Sequence, residues 1–169
     1  MKKFIKYFLS LFFTKICLFN IKHGCRCKCN FFSKFTPNTI IGDNCHFNGA
    51  KIYGDGKVMI GNNFHSGKNL KILTTYHNYD SGKRLPYDDT NYSRNVIIGD
   101  NVWIGDDVLI LSGCIIGEGA VIQAGSVVCV DIPPLGIAGG HPAIVFKYRN
   151  RGHYYLLKNF YKNYRDEEN

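Results

Sequence analysis

The stretch that decides the fold is Ile98-Gly99-Asp100-Asn101-Val102-Trp103-Ile104-Gly105, continued by Asp106-Asp107-Val108-Leu109-Ile110. From Ile98 an aliphatic residue recurs at every sixth position, through Ile104, Ile110, Ile116 and Ile122 to Val128. An α-helix has a period of about 3.6 and an ordinary strand of about 2, so neither explains this spacing. Gly follows the aliphatic at 99, 105 and 117, whereas Leu111, Gln123 and Cys129 stand at the other three places. Four positions after each aliphatic sit Val102, Val108, Cys114, Ala120, Ser126 and Ile132, mostly small or β-branched. So strict a period implies an all-β solenoid whose short strands each repeat the environment of the last.

Working outward, Ile41-Gly42-Asp43-Asn44-Cys45 and Ile60-Gly61-Asn62-Asn63-Phe64 repeat the phrase Ile98-Gly99-Asp100-Asn101-Val102. Repeat-like sequence therefore begins near Asn38, with a one-residue insertion near Tyr53–Lys57. Between Ile60 and Ile98 most of the chain, about 75–95, is polar and aromatic with no six-residue period. It reads as a loop extruded from the coil, and long loops on rigid scaffolds commonly carry function. Pro133-Pro134 ends the repeat, because proline cannot donate to a continuing ladder. The expected organisation is a basic aromatic helix and lead-in strand over 1–37, a β-helix over 38–146 and a helical tail over 147–169.

The 169 residues are 45% hydrophobic and 20% charged, which suits one domain with a continuous core. Eighteen glycines suit a coil that turns a corner every few residues. The formal net charge of +8 is unevenly placed: no acidic residue precedes Asp43, and a second basic cluster runs from Lys147 to Arg165. Nucleic-acid recognition modules are absent, so a membrane surface or anionic substrates account better for the asymmetry. The seven cysteines are an odd number, and free thiols in a cytoplasmic protein explain them most simply. Cys25-x-Cys27-x-Cys29 lacks the spacing of zinc pairs, and strand alternation would place all three on one face. No metal is expected.

Residues 2–21 are basic, aromatic and helical in pattern. Lys15 interrupts the apolar run and no small-residue cleavage site follows, which argues against a signal peptide. No run is apolar and long enough for a conventional transmembrane helix. Two readings of the segment stand: an interfacial helix on the inner face of the cytoplasmic membrane, near lipid-linked substrate, or a cap on the open end of the solenoid. One helix can do both.

The phrases Asn101-Val102-Trp103-Ile104-Gly105, Gly117-Glu118-Gly119-Ala120-Val121-Ile122, Ala124-Gly125-Ser126-Val127-Val128 and Asp131-Ile132-Pro133-Pro134, in that order, resemble the hexapeptide-repeat acyltransferases. The resemblance is to the maltose, galactoside and capsular-polysaccharide O-acetyltransferase branch and covers about 38–149. It implies a left-handed parallel β-helix, a homotrimer with active-site clefts between subunits, and acetyl-CoA as acyl donor. It also implies a loop histidine as general base, which by position is His77 in Thr75-Tyr76-His77-Asn78-Tyr79-Asp80. The bland alternative for His77 is a solvated loop residue, but its place at the start of the one long loop, twenty-six residues before Trp103, argues against that. An imidazole with a pKa of ~6.5 can take a hydroxyl proton at neutral pH, which the chemistry needs. His46 and His65 fall within repeats and read as outward-facing polar residues.

The matching tryptophan, Trp103, is expected against the CoA thiol or as a packing residue at the subunit interface. CoA contacts carry over by position to Asp106, Ala124, Cys129, Val130 and Lys147. Val130 and Ile144 depart from the family pattern at two phosphate contacts, for which Lys147, Arg149 or Arg151 are the available substitutes. Tyr76, Asn78 and Arg84 are the candidate acceptor contacts, and an acidic sugar would suit the positive charge. The expected function is O-acetylation of a sugar in a bacterial surface polysaccharide. N-acetylation of an amino sugar or nucleotide-sugar is the alternative, and a non-catalytic scaffold is the reading of another class.

Overall fold

The computed structural model describes residues 2–167, with side chains placed over 4–160. Helix α1 (Lys2–Leu18) leads into a parallel β-solenoid of about six turns. β1 (Lys22–His23) and β2 (Lys28–Phe31) belong to the first coil, and β3 (Thr39–Ile41), β4 (His46–Asn48) and β5 (Lys51–Tyr53) form the second. The third holds β6 (Val58–Ile60), β7 (His65–Lys68) and β8 (Lys71–Leu73). A hairpin of β9 (Thr75–His77) and β10 (Asn91–Ser93) then leaves the stack.

The fourth coil resumes with β11 (Val96–Ile98), β12 (Trp103–Ile104) and β13 (Leu109–Ile110), and β14 (Ile115–Ile116), β15 (Val121–Ile122) and β16 (Val127–Val128) make the fifth. Ile132 bridges to Ile116, and β17 (Gly136–Gly140) carries the last turn. β18 (Ala143–Tyr148) folds back antiparallel on β17 and leads to helix α2 (Arg151–Glu167).

Three parallel faces result: β1-β3-β6-β11-β14, β2-β4-β7-β12-β15-β17, and β5-β8-β13-β16. Each face sends one row of side chains inward. Ile41, Ile60, Ile98 and Ile116 stack from the first face, and Ile52, Ile72, Ile110 and Val128 from the third, all buried. This inward stacking of one residue per coil is the six-residue period made physical. The glycine after the aliphatic has a steric cause. A Cβ on Gly105 would come within 2.5 Å of the Ala124 amide nitrogen in the next coil, where the backbones run in ladder contact.

The corner positions carry side chains that tie coil to coil. Asn44 donates to Asn63 at 3.0 Å, Asn63 to Asn101 at 2.9 Å, and Asn101 to the Tyr154 hydroxyl at 3.0 Å. These asparagines lie in the left-handed region (φ 55°, 55° and 59°), which Asn tolerates better than most residues. Helix α2 docks where that ladder ends. Tyr154 donates to Glu118 at 2.8 Å, and Lys158 pairs with the same carboxylate. Burial pushes the Glu118 carboxyl up, but the bonds from Lys158 and Tyr154 outweigh it and hold the group below its ordinary value.

Two features differ from the sequence expectation. The coil stack begins at Lys22, a full turn before the repeat-like sequence at 38: β1 pairs with β3, β2 with β4, and Lys34 bridges to Lys51. The cysteines at 25, 27 and 29 do not share a face. Cys25 is exposed, whereas Cys27 and Cys29 are buried. Cys27 turns inward at a corner and donates to the Gly42 carbonyl at 3.1 Å, as Cys45 does to Gly61 one coil later. Gly24-Cys25-Arg26-Cys27 is thus the first-coil version of Gly42-Asp43-Asn44-Cys45, with Arg26 (φ 57°) in the place of Asn44.

Candidate active site

β12 ends the corner begun at Gly99 and turns Trp103 outward on the second face, 56% exposed. Parallel register places His65 beside it in the third coil and Val121 in the fifth. His46 is in register with His65, and their rings meet edge-on at 4.9 Å. Burial, His65 and Lys28 together hold His46 below its ordinary pKa. A column of His46, His65 and Trp103 therefore runs up one face, a neighbourhood that sequence spacing places in register but that single-residue reading passes over.

His77 stands elsewhere. It ends β9 and pairs with Asn91 across the hairpin, exposed and stacked flat on Tyr87 at 3.8 Å and 3°. The hairpin leaves the corner between the third and first faces, the edge of the prism opposite the second face. Among the described residues neither hydrogen bond nor ring contact joins His77 to Trp103 within the chain.

The hairpin is held by its own polar side chains. Asn78 is buried; its amide nitrogen donates to the Thr90 hydroxyl at 3.0 Å, and its carbonyl accepts from the Ser81 amide and hydroxyl at 3.1 and 2.9 Å. Asp88 accepts from the Lys83 and Thr90 amides, both at 2.8 Å, and from the Thr90 hydroxyl. That hydroxyl, with the two amides, holds the Asp88 carboxyl below its ordinary range. Asn78 is thus committed to the loop, and Arg84 pairs in the open with Asp89 at 2.8 Å.

Neighbouring residues of a strand point to opposite sides, so Tyr76 faces away from His77. It pairs with Tyr92 at 5.6 Å between ring centres, lies 6.2 Å from Tyr79, and carries the Arg94 guanidinium over its face at 5.8 Å. These residues, with Asp80, Ser81 and Ser93, line a cleft of about 330 Å³.

The expected CoA contacts spread around the prism. Asp106 and Ala124 meet at the corner between the second and third faces, where the Gly125 amide donates to the Asp106 carbonyl at 2.8 Å. The Asp106 side chain accepts from the Lys68 amide at 2.8 Å, so it also braces the third coil. Cys129 and Val130 lie exposed at the next corner, and Lys147 sits on β18 in register with Ile137. Among the described residues no group of three or more His, Cys, Asp or Glu side chains is arranged to hold a metal ion.

The family model for the bacterial transferase hexapeptide (six repeats) matches residues 95–129. A hexapeptide-repeat-containing acetyltransferase from Vibrio cholerae O1 biovar eltor, solved with acetyl-coenzyme A, is 26% identical. That likeness covers 81% of this chain and 76% of the other, with a TM-score of 0.69. A maltose O-acetyltransferase from Clostridium difficile 630 is 34% identical over 78% of this chain and 67% of its own, at a TM-score of 0.56. AntD, an N-acyltransferase from Bacillus cereus, covers 85% of this chain and 81% of its own at a TM-score of 0.74. At 20% identity that last likeness concerns the fold alone. No curated protein matches the sequence. The chain belongs to the hexapeptide-repeat acyltransferases, and it is an acyltransferase.

Proposed function

We propose that this protein is an acetyl-CoA-dependent O-acetyltransferase that acts on a sugar hydroxyl of a bacterial surface polysaccharide, with His77 as general base. The observation that carries the reading is the placement of His77. The one long excursion from a rigid coil stack holds an exposed imidazole flat against Tyr87, where a substrate hydroxyl can reach it.

In the reaction His77 accepts the proton of the sugar hydroxyl as its oxygen attacks the thioester carbonyl. The tetrahedral adduct collapses with loss of the CoA sulfur, which takes the proton back from His77. The products are the sugar acetate and free CoA thiol. Trp103 supplies an apolar wall for the acetyl thioester, and backbone amides of the corner turns are the available donors for the oxyanion.

Because His77 and Trp103 sit on opposite sides of one prism, the site is complete only when chains assemble. Three prisms packed in parallel as a homotrimer bring the hairpin of one against the second face of the next, with a groove at each interface. Asp106, Ala124, Cys129, Val130 and Lys147 then border grooves of that kind. Lys147 and Arg149 are the cations at hand for CoA phosphates where Val130 and Ile144 are apolar. The tyrosine cleft behind His77 offers ring faces and the Arg94 charge to sugar units further along an acceptor chain, acidic ones included.

The test is CoA thiol release from acetyl-CoA by the purified protein, with neutral and acidic oligosaccharides and with amino sugars. Release that depends on a hydroxyl acceptor and fails in His77→Ala is the expected result. Release with amino sugars alone would make the enzyme an N-acetyltransferase. A folded protein that binds no acetyl-CoA would end the catalytic reading in favour of a scaffold.

A further inference from the structure

Helix α1 is amphipathic the wrong way round for an ordinary cap. Its uncharged polar residues face the protein, while Lys6 and Lys15 are exposed: Ser10 donates to Asn30 at 3.0 Å, and the Thr14 hydroxyl accepts from the Cys29 amide at 2.8 Å. Cys17 and Leu18 complete this inner face, and Cys17 accepts from the Ser33 amide at 3.2 Å. The open edge of β2 is thereby closed by side-chain hydrogen bonds, which is the capping role.

The outer face is apolar. Phe4, Phe8, Phe12 and Ile16 recur every four residues and form one stripe, 68%, 56%, 58% and 49% exposed. Phe31 and Phe32, at the end of β2 in the first coil, are exposed as well. An exposed contiguous apolar surface of this kind on a protein of ordinary composition marks a contact with something apolar.

The charge around it identifies that contact. Residues 1–42 hold eight Lys and Arg side chains and no Asp or Glu. A second copy of the same end would bring like charges together, whereas an anionic lipid surface takes phenylalanines into its acyl boundary and lysines among its phosphates. At 17 residues α1 spans about 25 Å, and no helix among the described residues is long and apolar enough to cross a membrane. We infer that α1 is a two-sided device: its polar face closes the first coil, and its phenylalanine stripe docks the solenoid end-on to an anionic membrane surface.

The inference stands apart from the acetyltransferase reading. If both hold, the His77 hairpin, which leaves after the third coil, lies roughly 10–15 Å from the docking end at ~4.8 Å per coil. That places it within reach of a lipid-linked glycan.

The experiment is flotation of the full chain with vesicles of phosphatidylcholine alone and of phosphatidylcholine mixed with phosphatidylglycerol. The wild-type protein is expected to float with the anionic vesicles and to be released by high salt. The triple variant Phe4→Ser, Phe8→Ser, Phe12→Ser leaves Ser10, Thr14 and Cys17 in place and is expected to lose at least tenfold in bound fraction. Lys6→Glu with Lys15→Glu, which spares every phenylalanine, is expected to lose a similar factor and serves if the triple variant misfolds. Thiol release with a soluble acceptor stays at the wild-type level in both, so failure of docking and failure of catalysis are read separately. Absence of wild-type binding to anionic vesicles would overturn the inference. So would a triple variant that still floats but dissociates into smaller oligomers, since α1 would then be an interface between copies.

Discussion

The coil stack and the β9–β10 hairpin are held together by different physics. In the stack, each strand is two to four residues long in most coils, and its place is set by buried aliphatic columns and the ladder to the coils on either side. In the hairpin, most side chains from 75 to 95 are exposed, and order comes from Asn78, Asp88 and stacked rings. The difference teaches where substitutions act. Those at inward-facing positions of the stack should cost stability with little specific effect on chemistry, and those in the hairpin the reverse.

The sharpest way to break this contrast is His77→Ala. Loss of a general base lowers kcat by about 10²–10⁴-fold, while the thermal midpoint stays at the wild-type value. A midpoint drop of several degrees would show that the hairpin supports the fold. From the other side, Ile104→Ala removes a fully buried side chain from the second face and should cost roughly 2–5 kcal/mol in denaturant unfolding. Its residual folded fraction should still turn over at a rate close to normal.

Asn78→Ala tests whether hairpin order serves function. It removes the bonds to Ser81 and Thr90, and the expected result is a clear rise in acceptor KM with unfolding essentially unchanged.

The α2 contact gives a pH test within the scaffold. Glu118 is held below its ordinary value of 4.5, so its contribution is present above that value and is lost as pH falls through the folded pKa. Acid titration below pH 4.5 should release α2, read as loss of helix signal before the β signal, and Glu118→Gln should remove that early step. The smallest effect is expected at Ser66, whose hydroxyl is buried without a hydrogen-bond partner where the next coil places Ile104. Ser66→Ala should raise stability by about 1 kcal/mol, since an unsatisfied buried hydroxyl is removed.

The same contrast governs what the sequence reveals. From Ile98 to Ile132 the period is legible because every coil sets the same steric demand, an inward aliphatic followed by close backbone approach. The first coil escapes that reading because His23 replaces the aliphatic, and Cys25 and Arg26 replace the Asp-Asn pair of later corners. Three alternate cysteines then look like a motif of their own. In the hairpin, the candidate base His77 is visible from its position, but its partner Tyr87 is not. Nine residues of irregular loop separate them, with no period to bring them into register. Helical spacing finds α1 as well, yet it does not tell which face docks, because Asn30 and the Cys29 amide belong to a strand edge that only the coil creates.

The central claim is that hairpin and stack meet across a subunit interface, His77 from one chain serving Trp103 of the next. Co-expressing His77→Ala and Trp103→Ala chains and measuring acceptor-dependent thiol release tests it most directly. Each variant alone is expected to be nearly inactive. Random mixed trimers should recover about one quarter of wild-type turnover, the fraction of interfaces that receive both intact residues. No recovery from verified mixed trimers would contradict the account and place both residues in a site built by a single chain.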